Sequence, residues 1–192
     1  MLANRFDIVI ADMFITPKRC KHVLFTDPHY KLGPAFLVKK GNPKNLHSYA
    51  DIAKNPDAIL CMLAGAAEYQ YAIKEGIPES RIMLVSDLTG NIAAVKSGRA
   101  DAVTETTVAI ATMAEKGGPE LEVVKPFHAK PYMIGYGGWA FRKEDKDLME
   151  LFNAAMKEFI GTKQHLELVK PFGFTEVTLP DNKTAAECCA GQ

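Results

Sequence analysis

Apolar runs alternate along this chain with amphipathic stretches. The runs are short and rich in β-branched residues, which predicts buried strands, whereas the stretches between them have the spacing of helices. Strands are predicted at residues 6–11, 35–39, 59–63, 83–85 and 102–104. Helices are predicted at residues 16–21, 46–54, 68–75, 88–97 and 107–115. Because helices join successive strands, the sequence predicts parallel βαβ units and an α/β fold.

The pattern changes after residue 130. Residues 133–141 are apolar and glycine-rich, which predicts a strand that returns to an earlier sheet. An amphipathic helix is predicted over residues 147–160 and a second one over residues 163–169. We expect one face of the first helix to pack on the core. That face comprises Leu148, Leu151, Phe152, Ala155, Met156 and Phe159.

Two segments of the chain echo each other. Residues 4–12 (NRFDIVIAD) and 98–106 (GRADAVTET) share Arg-x-Asp-x-Val at equal spacing. A complete predicted helix and a glycine stop precede the second copy, but the equivalent helix of the first copy would lie before residue 1. The echo predicts two similar lobes, of which the first lacks its N-terminal half.

Composition excludes several classes of protein. The 192 residues are 47% hydrophobic and carry no formal net charge, so a nucleic-acid or acidic-membrane partner is not expected. No apolar stretch approaches the roughly 18 residues that a membrane span needs. The first residues, 1–5, do not show the charged and apolar regions of a signal peptide.

A candidate anion site follows the first predicted strand, in Thr16-Pro17-Lys18-Arg19. Threonine is a good N-cap and proline is favoured at the next position, which places Arg19 in the first turn of a helix. The helix dipole disfavours a cation there by a few tenths of a kcal/mol. An arginine suits this position if its guanidinium leaves the helix to clamp an anion, and the alternative is a solvated surface arginine.

A second candidate anion site lies in residues 63–68, between a strand and a helix. Small residues let a ligand approach the backbone, and the N–H groups at a helix start bind anions. Because neither phosphate-binding glycine motif is present, a carboxylate suits these donors better than a nucleotide. The alternative is a plain turn between a strand and a helix.

Enzyme and metal signals are weak. The histidines form no pair with metal-ligand spacing; they are His22, His29, His47, His128 and His165. Asp12, Glu68 and Glu105 could face a cleft, but acids alone do not define a reaction. We therefore expect no catalytic residue, no metal and no cofactor.

The four cysteines do not have zinc-ligand spacing. Cys61 lies inside an apolar run and is expected to be a buried small hydrophobe. Cys20 could pair with Cys188 or Cys189 in an oxidising compartment, although sequence alone cannot fix the connectivity. We take Cys20–Cys188 as the candidate disulfide.

These segments, in this order, resemble the amino-acid-type solute-binding proteins of ABC importers. The resemblance covers nearly the whole chain, because several motifs occur in the family's order. The segments that carry it are RFDIVIADMFITPKR, KKGNPKNLHSYADIAKNPDAILCMLAGAAEYQYA, AAVKSGRADAV, and GWAFRKEDKDLMELFNAAMKEFIGT with VKPFGF.

The resemblance implies a two-lobed periplasmic-binding-protein type II fold that closes on its ligand by a hinge movement. Residues 1–32 would belong to the first lobe, 33–130 would form the complete second lobe, and 131–192 would return to the first. The resemblance also implies that the chain begins inside a lobe, after a lost signal peptide. We expect a periplasmic protein, monomeric at full length, that works with the membrane permease subunits of an importer.

Ligand contacts can be carried over from the family residue by residue. Arg19 would bind the ligand carboxylate, assisted by the backbone N–H groups of Phe14 and Ala67. Thr106 stands where family members for ordinary amino acids carry an Asp that holds the α-ammonium group. Glu68 would orient the cationic side of the ligand, or is simply an acid favoured by the helix dipole.

The departures from the family pattern indicate a ligand with a carboxylate and a delocalised cation. Phe14 offers a ring face to such a cation and would form one wall of an aromatic box. The branch that binds ectoine and hydroxyectoine shares Met-Phe-Ile-Thr-Pro and the late cysteine with this chain. We therefore expect a small zwitterionic compatible solute as ligand, and Asp12 is included in the site without an assigned role.

Three alternatives remain open. The chain could bind a polar amino acid. It could be an enzyme like the cyclohexadienyl dehydratases, which share this fold and need an acid and a base in the cleft. It could also be the sensing domain of a receptor, which would require flanking membrane or output segments.

Overall fold

The computed structural model describes residues 1 and 5–191, and only the backbone of Asp12. The chain divides into two compact units, which are Met1–Leu32 with Gly135–Gln192 and Gly33–Ile134. We call them unit 1 and unit 2. The predicted division placed the two boundaries after residues 32 and 130. No helix among the described residues has the length and apolar character that crossing a membrane requires.

Strands and helices alternate along the chain in unit 2. The strands are β1 (Ile8–Phe14), β2 (Leu24–Phe25), β3 (Tyr30–Leu32), β4 (Pro34–Lys39), β5 (Leu60–Leu63), β6 (Ile82–Val85), β7 (Ala102–Thr106), β8 (Leu121–Val123) and β9 (Gly135–Phe141). The helices are α1 (Pro17–Cys20), α2 (Tyr49–Lys54), α3 (Glu68–Lys74), α4 (Leu88–Lys96), α5 (Thr107–Gly117), α6 (Lys146–Phe159), α7 (Lys163–Val169) and α8 (Ala185–Ala190). Single 3-10 turns lie at Glu79–Arg81, Pro131–Met133, Lys170–Phe172 and Glu176–Thr178.

Unit 1 is built on β9, which pairs antiparallel with β1, β2 and β3. Glycines in β9 leave room for aromatic rings. A Cβ atom at Gly137 would lie 1.9 Å from the Tyr30 ring, and one at Gly135 would lie 2.6 Å from the Phe14 ring. The return strand predicted from the glycine-rich segment is therefore the centre of this sheet.

Unit 2 has a five-stranded mixed sheet with the order β6-β5-β7-β4-β8. The parallel prediction is confirmed for β5, which runs parallel to β6 and β7. It is wrong for β4, which pairs antiparallel with β7 and β8. A helix between two strands predicts that those two strands run parallel, but it does not predict which strands are neighbours in the sheet. Strand β8 was not predicted from the sequence.

Helices cover both faces of this sheet. Residues of β5 alternate between two cores: Leu60 and Met62 pack with α2 and α3, whereas Cys61 packs with α4 and α5. Along β7, Ala102 faces the first core and Val103 the second. Because both faces are buried, these strands appear in the sequence as continuous apolar runs.

The predicted inner face of α6 is partly wrong. Met156 is buried and Phe152 packs edge-on against Trp139, but Leu151 is 69% exposed. The helix is turned so that Asn153 faces inward, where its side-chain Oδ1 accepts the Asp27 backbone N–H at 2.7 Å. A polar anchor thus decides which strip of the helix is covered, and apolar periodicity alone does not show it.

Candidate functional site

The connections of unit 2 diverge between β5 and β7. From β5 the chain leads through α3 to β6 at one edge of the sheet, and from β7 it leads through α5 to β8 at the other. Neighbouring parallel strands whose connections leave in opposite directions open a crevice at their carboxyl ends, where ligands of α/β proteins bind. This position in unit 2 is a candidate half-site.

Helix starts meet at this edge of the sheet, because the carboxyl ends of β5, β6 and β7 all lie there. The N-cap residues are Ala67 for α3, Asp87 for α4 and Thr106 for α5. Asp87 accepts the Gly90 N–H at 2.8 Å with its own carboxylate. The start of α3 has no side-chain cap, so its N–H groups suit a ligand anion, whereas the Thr106 hydroxyl already caps α5.

The turn that joins β5 to α3 is tight. Gly65 has a φ of +82°, a left-handed conformation that an L side chain rarely adopts. Ala67 is right-handed and makes no side-chain cap. A methyl group in place of a hydroxyl at residue 67 leaves only the backbone to contact a ligand there.

Glu68, in the first turn of α3, is 3% exposed. Burial raises the pKa of the Tyr49 phenol well above its usual value, and the nearby Glu68 carboxylate raises it further. The Tyr49 hydroxyl lies 2.6 Å from the Thr104 Oγ1 atom. Glu68 thus brings negative charge to the start of α3, on the face of the sheet that carries α2 and α3.

Thr106 ends β7 and caps α5. Its Oγ1 accepts the Ala109 backbone N–H at 3.3 Å, and a hydroxyl that accepts in this way can still donate its own hydrogen. The neighbouring Thr107 N–H is bonded to the Gly33 carbonyl at 3.0 Å. This residue offers a neutral donor where the family pattern has a carboxylate.

Glu105 does not face the same side as Thr106, because successive side chains of a strand point to opposite faces. It is 6% exposed and its Oε1 accepts the Leu63 backbone N–H at 3.0 Å and the Asn91 side-chain amide at 3.3 Å. Burial raises the pKa of this carboxyl group. Glu105 is therefore bonded to β5 and α4 inside unit 2, and its expected position at a cleft stays a prediction. Asn91, which sequence reasoning missed, is its partner on α4.

In unit 1, the predicted cap of α1 is confirmed. Thr16 is the N-cap, Pro17 is the first helical residue, and the Thr16 Oγ1 accepts the Arg19 N–H at 3.3 Å. The Arg19 guanidinium turns back to the strand end, where its Nη1 donates to the Phe14 carbonyl at 2.7 Å. A guanidinium has five N–H donors in a fixed plane, so it can hold this carbonyl and a carboxylate together.

Phe14 closes β1 beside this guanidinium. Its ring is 6% exposed and packs against Gly135 and, at a centroid distance of 6.0 Å, against Tyr30. The Ile15 N–H bonds to the Tyr136 carbonyl of β9 at 2.8 Å. Because N–H groups alternate along a strand, the Phe14 N–H points away from β9. Asp12 lies in the irregular middle of β1, and its side chain lies outside the described residues.

The disulfide prediction was wrong in its second partner. Cys20 is bonded to Cys189, with their Cα atoms 5.8 Å apart, whereas Cys188 is a buried free thiol. Adjacent residues of a helix point about 100° apart. On α8, Cys188 therefore packs into the core with Ile15 while Cys189 faces α1. Cys61 is buried and free, as predicted.

No group of three metal-ligating side chains occurs among the residues that the structure describes. Two of the histidines are neighbours through the backbone, because the His128 N–H donates to the His47 carbonyl at 2.9 Å. His165 is buried on α7, and its Nδ1 accepts the Gly161 N–H at 3.2 Å.

Comparisons with known proteins place these features in one family. The family described as "Bacterial extracellular solute-binding proteins, family 3" matches residues 1–175. A probable amino-acid ABC transporter periplasmic-binding protein of Sinorhizobium fredii, y4tE, is 35% identical over 98% of this chain and 64% of its own length. The glutamine-binding protein GlnH of Bacillus subtilis is 29% identical over 88% of this chain and 59% of its own length.

Solved structures give a similar picture. The structure of EhuB in complex with hydroxyectoine has a TM-score of 0.87 at 30% identity and covers 99% of this chain and 73% of its own. Holo ArgBP from T. maritima has a TM-score of 0.73 at 26% identity, covering 90% of this chain and 72% of its own. The chain spans less than two thirds of the length of both relatives compared by sequence.

Proposed function

The chain belongs to family 3 of the bacterial extracellular solute-binding proteins, and on that basis we propose that it captures a small zwitterionic solute for an ABC importer. Its mixed α/β fold is the type II periplasmic-binding-protein fold that the sequence analysis predicted. We propose ectoine or hydroxyectoine as the solute.

The observation that carries this proposal is the geometry of Arg19. A cation in the first turn of α1 is unfavourable for the helix dipole, yet its guanidinium is held in place by the Phe14 carbonyl at 2.7 Å. Such anchoring presets the plane of the guanidinium for two parallel bonds to a carboxylate. The backbone N–H of Phe14, which points away from β9, would assist.

The cationic end of the ligand distinguishes an amino acid from a compatible solute. An α-ammonium group needs an acceptor of opposite charge, and leaving it unpaired in a buried site is expensive. Thr106 provides a neutral hydroxyl at the start of α5, where the helix dipole is also unfavourable for a cation. A ring-delocalised cation, as in ectoine, carries less charge on each atom and depends less on such a partner.

Glu68 supports the same assignment from α3, because its carboxylate brings negative charge to the start of that helix without occupying the position of Thr106. We propose that it orients the cationic side of the solute. Phe14 would contribute through its backbone N–H, because its ring packs against Gly135 and Tyr30, and the expected role of the ring face as one wall of an aromatic box stays a prediction.

Partners and location follow from the family. We propose that the protein works outside the cytoplasmic membrane and delivers its solute to membrane permease subunits. The bond between Cys20 and Cys189 supports an oxidising compartment, where disulfides persist.

Amino-acid binding is the second candidate, favoured by the relatives named for glutamine and arginine. Calorimetry with hydroxyectoine, ectoine, glutamine and arginine separates the two. We expect the first pair to bind at least tenfold more tightly than the second pair. Tighter binding of either amino acid would replace the compatible-solute assignment, and turnover of prephenate or arogenate would favour the enzymatic alternative.

Substitution tests the carboxylate clamp. Arg19→Ala should weaken hydroxyectoine binding by about 2 kcal/mol or more, roughly 30-fold, because a charge-assisted bidentate contact is lost. Lys18→Ala is the matched control, since Lys18 is an exposed cation of the same short helix. Equal affinity in Arg19→Ala and Lys18→Ala would remove Arg19 from the site.

A further inference from the structure

Glu105 bridges the strands β5 and β7 at the point where their connections diverge. We propose that Glu105 is a positioning residue: its carboxylate holds the carboxyl ends of these strands at a fixed separation, and so places both the turn before α3 and the cap of α5. No substrate contact is assigned to Glu105 itself. The hydrogen bonds that give Glu105 this role all lie within unit 2.

The hydrogen bonding between β5 and β7 changes towards the carboxyl ends of the two strands. β5 and β7 pair through Leu60 with Ala102 and Cys61 with Val103. Two residues later the Leu63 N–H, which points towards β7, is taken by the Oε1 atom of Glu105 at 3.0 Å. The next N–H, that of Ala64, bonds on the opposite side to the Val85 carbonyl of β6 at 2.9 Å. A side chain therefore spans the gap that a backbone carbonyl would otherwise close.

The carboxylate is held from a third element. The Asn91 side-chain amide of α4 donates to the same Oε1 atom at 3.3 Å, and the Cys61 thiol donates to the Asn91 Oδ1 at 3.2 Å. Asn91 and Cys61 are both fully buried. The thiol fixes the orientation of the amide, the amide fixes the carboxylate, and the carboxylate fixes the end of β5.

The turn before α3 and the cap of α5, which together form the candidate half-site of unit 2, both depend on the bridge made by Glu105. Leu63 is the residue from which the turn to Ala67 and α3 departs, and Thr106 directly follows Glu105 on β7. Changing the reach of residue 105 should therefore shift the α3 start and the α5 cap relative to each other. The effect on ligand affinity rests on the proposed function, whereas the effect on the turn does not.

Two measurements on the full chain test the proposal. Hydrogen exchange of the segment that contains residues 62–67 reports the turn without any ligand, and calorimetry with hydroxyectoine reports affinity. The variants are Glu105→Ala, Glu105→Asp, which keeps the charge but is one methylene shorter, and Glu105→Gln, which keeps the reach and an acceptor oxygen. Tyr49→Phe is the control, because it removes a buried hydrogen bond to Thr104 from the other face of β7.

We expect Glu105→Ala and Glu105→Asp to exchange at least about tenfold faster in this segment and to bind at least about tenfold more weakly. Glu105→Gln should stay within about threefold of the natural protein in both measurements, since a neutral acceptor preserves the bond to Leu63. Tyr49→Phe should leave the exchange of this segment unchanged.

Three results would overturn the proposal. Unchanged exchange in Glu105→Asp would show that reach is irrelevant, and an effect of Glu105→Gln as large as that of Glu105→Asp would show that an acceptor oxygen with the full reach does not suffice. Faster exchange in Tyr49→Phe would show that exchange of this segment reports the general stability of unit 2 and not the bridge made by Glu105. If the natural protein does not bind hydroxyectoine, the proposed solute fails while the exchange measurement still decides the role of Glu105.

Discussion

The disulfide between Cys20 and Cys189 should contribute strongly to the stability of unit 1. Its two cysteines are 169 residues apart in sequence. In the chain-entropy treatment a cross-link of that span restricts the unfolded chain by about 5 kcal/mol at 25 °C. Because native disulfides deliver about 2–5 kcal/mol in practice, we expect Cys20→Ser and Cys189→Ser each to lower the free energy of unfolding by that amount.

Urea unfolding followed by tryptophan fluorescence measures this loss, because the one tryptophan of the chain, Trp139, lies in β9 of unit 1. Reductant should bring the natural protein to the level of Cys189→Ser and leave that variant unaffected. Cys188→Ala is the matched control: it removes a buried thiol on the same helix and should keep the sensitivity to reductant. Sensitivity retained in Cys189→Ser but lost in Cys188→Ala would refute the pairing described above.

Three further predictions concern the site and its support. Thr106→Asp should restore a partner for an α-ammonium group and improve the binding of an amino acid such as glutamine or arginine relative to hydroxyectoine by about 10- to 100-fold in calorimetry; an unchanged ratio would contradict the role given to residue 106. Burial raises the pKa of Glu105, so the folded state favours its protonated form and stability should fall as pH rises through that pKa. Urea midpoints against pH should show this decline in the natural protein and a flatter profile in Glu105→Gln, and parallel profiles would contradict it. Gly137→Ala should destabilise unit 1 by about 1–3 kcal/mol or more in urea unfolding, because its Cβ would lie 1.9 Å from the buried Tyr30 ring; a loss under about 0.5 kcal/mol would mean that the ring moves aside easily.

Local rules predicted the short-range structure well. Thr16 and Pro17 start α1 as the sequence indicated, because capping depends on residues within one turn. The family resemblance, carried by motifs spread over the chain, is confirmed by the match to residues 1–175. The two anion-binding roles, of Arg19 and of the turn before α3, remain predictions.

Features set by long-range packing were not predictable in the same way. The choice between Cys188 and Cys189 depends on which side of α8 faces α1, and apart from Glu187 that short helix consists of alanines and cysteines, which do not mark one inner face. The inner face of α6 depends on Asn153 meeting Asp27, 126 residues away in sequence. In both cases a single distant contact selects the orientation, and no local periodicity records it.

The position of the acid in β7 shows how a shift of one residue changes chemistry. A carboxylate at residue 106 would face the half-site and offer charge to a ligand, whereas at residue 105 the strand alternation turns it towards α4. There it becomes an internal acceptor for the Leu63 N–H and holds the strand ends instead of the solute. An acidic residue in β7 can therefore either bind an ammonium group or hold two strands together, depending only on which face of the sheet its side chain points to. Because the acid at residue 105 is bonded inside unit 2 and residue 106 is a neutral threonine, we propose a ligand whose cation does not require a carboxylate.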